Sequence, residues 1–65
     1  MIIDLSKEFG TPTYVNSDKV VSVTAHINEV RLHLDTKTLL IYVENMEEGK
    51  KIAETIAKKM NVIEI

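Results

Sequence analysis

The sequence predicts an α+β domain: an antiparallel β-meander of three core strands, with short terminal strands, packed on one C-terminal helix. Three observations carry this. Apolar and other residues alternate with period two from Val20 to Glu44, the pattern of half-buried strands. The period changes to three-to-four over residues 46–60, which puts the apolar positions on one helical stripe. The links between the alternating runs are too short for parallel crossovers, so the sheet is antiparallel. The aliphatic sheet face and the aliphatic helix stripe each need cover, and each covers the other. All 65 residues are expected to form a single domain.

Along the chain, Ile2, Ile3 and Leu5 suggest a short first strand. Phe9-Gly10-Thr11-Pro12 follows with turn chemistry, glycine accepting positive φ and proline fixing its own φ without a donor. Tyr14 and Val15 suggest a short second strand, and Asn16-Ser17-Asp18 a turn held by side-chain-to-backbone hydrogen bonds.

VVSVTAH, VRLHLD and TLLIYVE are the three core strands. A two-residue turn at Ile27-Asn28 pairs Ala25 with Val30, Val23 with Leu32 and Val21 with Leu34. A second at Thr36-Lys37 pairs Leu34 with Leu39, Leu32 with Ile41 and Val30 with Val43. Apolar meets apolar throughout, and a slip of one residue would turn the other set inward. Neither turn has the Asn-Gly or Asp-Gly favoured in such loops.

In the helix, Met46, Gly49, Ile52, Ala53, Ile56, Ala57 and Met60 form the stripe. Asn45 is the expected N-cap. Glu47 and Glu48 lie in the first turn and Lys58 and Lys59 in the last, each suited to the helix dipole. Asn61 is suited to end the helix, and Val62, Ile63 and Ile65 offer a final strand or anchoring segment.

Composition narrows the function. Hydrophobic residues make up 45% and charged residues 28%, the balance of a globular chain. So short a chain buries only roughly 60% of its unfolded surface. It has no cysteine, which excludes disulfides and thiolate zinc sites, and two histidines fall short of four structural ligands. A net charge of -2 gives no overall pull towards nucleic acid or anionic membrane. No apolar run reaches membrane-spanning length, so no membrane insertion is expected. MIIDLSKEFG lacks the basic flank and long apolar stretch of a secretory signal, and the cytosol is the expected compartment.

The second face of the sheet is of mixed character. The pairing above sets Thr24, Arg31 and Tyr42 in one cross-strand row and Ser22, His33 and Leu40 in the next. Arg31, His33, Leu40 and Tyr42 are therefore the candidate partner-binding surface, for a protein partner or a second copy of the chain. A solvated face with an ordinary Arg31–Tyr42 cross-strand pair is the plainer reading. The alternative class is a small nucleic-acid-binding regulator, phage- or host-encoded, with Arg31, Tyr42, Lys50, Lys51 and Lys58 as contacts. Lys50, Glu54 and Lys58 also fit a solvated helix face with i,i+4 support.

No metal, cofactor or catalytic group is expected. His26 pairs with Glu29, and Glu29 with His33 would share a metal only loosely. Ser22 beside His33 lacks an orienting acid and an oxyanion turn. An unpaired sheet edge, with apolar segments at 2–5 and 62–65, also makes self-association a candidate.

One resemblance covers about residues 10–56. The order Gly10, Tyr14-Val15-Asn16, Asp18, Val20-Val21-Ser22-Val23, then the hairpin Val30–Leu34 and Leu39–Val43 and an acidic turn into a helix, resembles the small flagellar-operon proteins of the FlbD type. It implies a cytosolic accessory of flagellar assembly or motility without known catalysis. Short uncharacterised phage and bacterial proteins share the pattern. Ser17 stands where that family has proline, Thr36-Lys37 where it has a glycine-bearing turn, and the helix and tail are longer.

Overall fold

The computed structural model describes residues 1–60; the expected terminal segment 62–65 and the stop at Asn61 lie outside them. The elements are β1 (Ile2–Asp4), α1 (Ser6–Phe9), β2 (Tyr14–Asn16), a 3-10 turn (Ser17–Lys19), β3 (Val20–Ala25), β4 (Glu29–Leu34), β5 (Thr38–Tyr42) and α2 (Met46–Lys59). The α+β class and the three-strand meander agree with the sequence reading.

β1 and β2 pair with each other, Ile3 opposite Val15, as a separate two-stranded sheet. They turn Ile3 and Val15 inward and leave Ile2 and Tyr14 outside. The single turn of α1 between them was not expected from sequence. Asp4 Oδ1 accepts from the Ser6 N–H at 2.9 Å and Ser6 Oγ accepts from the Thr13 N–H at 2.9 Å, so two short polar side chains shape the loop. Gly10, at φ 78°, closes α1 and donates its N–H to Ser6 O at 2.8 Å. Asn16 Oδ1 accepts from the Asp18 N–H at 3.0 Å, the expected turn.

The first meander turn lies at Ile27-Asn28 as read, with Ala25 opposite Val30 and Val23 opposite Leu32. Two details differ. Val20, not Val21, stands opposite Leu34, because Val21 is the extra residue of a β-bulge. Val20 consequently packs on the core while Val21 is 70% exposed. The second turn is Asp35-Thr36 rather than Thr36-Lys37, closed by the Leu34 N–H donating to Lys37 O at 2.7 Å. Leu32 therefore faces Leu39 and Val30 faces Ile41, a register shift of two. An even shift keeps every side chain on its predicted face. Aspartate supplies the turn chemistry that Thr36-Lys37 lacks.

α2 begins where Asn45 caps it, Oδ1 accepting the Glu48 N–H at 2.8 Å. The helix lies across β3 and β4. Among the described residues nine buried side chains form one core cluster: Ile3, Leu5 and Val15 from the N-terminal hairpin, Val30, Leu32, Ile41 and Val43 from the meander, Ile56 from α2 and Met60 from its C-cap. Met46, placed on the stripe by its spacing, is 37% exposed at the helix start. No described helix is long and apolar enough to cross a membrane.

Candidate functional site

With α2 on one face of the meander, the side chains of Ser22, Thr24, Glu29, Arg31, His33, Thr38, Leu40 and Tyr42 alternate onto the other. The corrected register rearranges the rows. Arg31 stands between Thr24 and Leu40, His33 between Ser22 and Thr38, and Tyr42 opposite Glu29. Arg31 and Tyr42 are thus diagonal neighbours rather than a directly opposed pair, as are His33 and Leu40.

Thr24 is the centre of the polar network. Its hydroxyl lies 3.0 Å from His26 Nε2 and 3.2 Å from His33 Nε2. His33 Nδ1 in turn lies 3.3 Å from the Thr38 hydroxyl. A hydroxyl donates one hydrogen bond and accepts two, so Thr24 serves both rings when at least one of the two Nε2 atoms carries a proton. Arg31 Nε donates to the Glu29 carboxylate on its own strand, and the two charges cancel locally. Leu40 and Tyr42 remain in solvent, 40% and 75% exposed. The face therefore joins a hydrogen-bonded polar half to an exposed apolar half. Sequence reading named Arg31, His33, Leu40 and Tyr42 and set Thr24 in the row of Arg31 without a role of its own; it missed Thr38, which the register brings onto His33.

The other constellations separate. His33 is engaged at both nitrogens by threonine hydroxyls, and Ser22 takes no part in that network. Among the described residues no group of three or more His, Asp or Glu is placed to hold a metal ion. Lys50, Lys51 and Lys58 are exposed on α2, on the opposite side of the sheet from Arg31 and Tyr42, so the candidate nucleic-acid contacts do not share one surface. Lys59 is tied down: Nζ donates to Glu8 Oε1 at 3.0 Å and to Asp4 O at 3.2 Å, pinning the end of α2 to the N-terminal hairpin.

One groove of about 600 Å³ runs between the N-terminal hairpin and the β4–β5 turn, lined by Pro12, Val15, Leu34 and Leu39, with Lys19 and Lys37 at its rim. Lys19 Nζ is 3.8 Å from Asp35 Oδ2 there. No protein-family model, no curated protein and no solved structure matches this chain.

Proposed function

We propose that the protein is a non-catalytic interaction module whose working surface is the open sheet face of Arg31, His33, Leu40 and Tyr42. One observation carries the reading: Leu40 and Tyr42 stay exposed beside polar groups that already satisfy one another. A hydrogen-bonded polar half fixes the geometry of the face without needing a ligand. The apolar half still gains by leaving water, which suits contact with another protein. The FlbD-type resemblance supports a role as an accessory of flagellar assembly or motility, with the cytosol as its compartment.

The double variant Arg31→Glu/Tyr42→Ala tests this, because both side chains project from the folded domain. Affinity capture with the wild-type chain should retain a defined protein that the double variant loses while its circular dichroism stays unchanged. Equal retention by both would remove this face from the account. A gel shift that weakens steeply with salt would replace the reading with nucleic-acid binding. The separation of Lys50, Lys51 and Lys58 from Arg31 and Tyr42 argues against that outcome.

A further inference from the structure

We infer that β5 is a self-pairing edge, and that its partner is β5 of a second copy of this chain, antiparallel across a twofold axis at Leu40. The main-chain pattern sets which groups are free. The Leu34 N–H donates to Lys37 O at 2.7 Å and the Val43 N–H to Asn28 O at 3.0 Å. Antiparallel ladders alternate, so Leu39 and Ile41 bond inward to β4. Thr38, Leu40 and Tyr42 then direct their N–H and C=O groups outward, where no described strand meets them.

The described edges are not equally defended. β1 and β2 are three residues each, and β3 carries the bulge at Val21, both devices that discourage pairing. β5 has neither. From Thr38 to Val43 the chain holds no charge, no proline and no glycine. The helix lies chiefly across β3 and β4, so β5 is the meander strand it covers least.

The strand is complementary to itself. A twofold axis at Leu40 sets Leu40 against Leu40 and Thr38 against Tyr42, and all three outward residues become hydrogen-bonded pairs in the same register. Leu39 and Ile41 meet on the helix side and extend the aliphatic face across the seam. At each end Lys37 comes alongside Val43 and Glu44 of the second copy, opposite charges flanking a neutral centre. The product is a six-stranded sheet with two open faces side by side. Two five-residue strands bury little area, so the dimer is the kind that dilution takes apart. The inference adds to the proposed function without depending on it: the pairing uses main-chain groups, which Arg31→Glu leaves in place.

Sedimentation equilibrium over a dilution series tests it, with Leu40→Lys and Leu40→Cys alongside the wild type. The wild type should pass from monomer to dimer with rising concentration. Leu40→Lys puts two ammonium groups face to face and should raise the dissociation constant at least about tenfold, with circular dichroism unchanged. The sequence has no other cysteine, so oxidised Leu40→Cys should give a covalent dimer. Facing Cα atoms in such a pair stand about 5.5 Å apart, within disulfide reach. Val21→Cys, at a position more exposed than Leu40 but on the bulge, should cross-link far less. A wild type that stays monomeric up to about millimolar concentration overturns the inference, as does a dimer that survives Leu40→Lys.

Discussion

At the scale of single residues the two glycines separate cleanly. Gly10 has open space around it but sits at φ 78°, a conformation that side chains with a Cβ resist. Gly49 has ordinary helical geometry and is buried; a Cβ there would lie 3.4 Å from Val43 Cγ2 and 3.5 Å from Val30 Cγ2, at contact distance without overlap. Gly10→Ala should therefore destabilise by about 1 kcal/mol, while Gly49→Ala should stabilise by about 0.5–1 kcal/mol through helix propensity. Urea denaturation of the two variants checks both signs. The carboxyl of Asp4 titrates low: hydrogen bonds from the Ser6 side chain first, and from the Ser6 N–H second, hold it below the usual carboxylate range, with Lys59 assisting. A depressed folded pKa stabilises above the unfolded value and is lost as pH falls through the folded one. The loss should thus begin below about pH 4, and Asp4→Asn should flatten that part of the acid limb in pH-dependent melting.

At the scale of elements, what was legible in the sequence was whatever a period reports. The helix over Met46–Lys59 and its Asn45 cap were readable because apolar spacing and capping chemistry are local. Asn45→Ala should cost about 1 kcal/mol, read from thermal melts. The faces of β4 and β5 were readable for the same reason. The bulge was not, since VVSV offers two valines in sequence and only the fixed position of Leu34 decides which one turns in. Val21→Ala should accordingly change stability by less than about 0.5 kcal/mol, although its position in the alternation marks it as core. The register of β5 escaped too, because periods of two cannot distinguish shifts of two. The rows of the candidate face depend on that register, so its members were legible and its neighbour relations were not. α1 rests on four residues and a pair of side-chain hydrogen bonds, too short a segment for periodicity to register.

At the scale of the whole molecule, the described residues form two sheets that share no hydrogen-bonded ladder and are held by one core. Leu5 leaves the N-terminal hairpin and is fully buried in the same cluster as Leu32 and Ile56. Lys59 adds a polar tie from the end of α2 to Glu8, whose side chain is only 7% exposed. A shared core makes the hairpin and the meander lose their burial together, so unfolding should be a single transition. The two tyrosines report on this separately, Tyr14 on β2 and Tyr42 on β5, both in solvent. Their ring resonances should disappear from the native positions at the same urea concentration. Leu5→Ala and Leu32→Ala each open a cavity worth about 2–5 kcal/mol, against a total stability of only about 3–5 kcal/mol for so small a core. Either variant should therefore move both tyrosine transitions together and leave the chain largely unfolded at about 37 °C. If Leu5→Ala released Tyr14 while Tyr42 kept its native resonance, the hairpin would be an appendage, and the meander with its helix would stand alone.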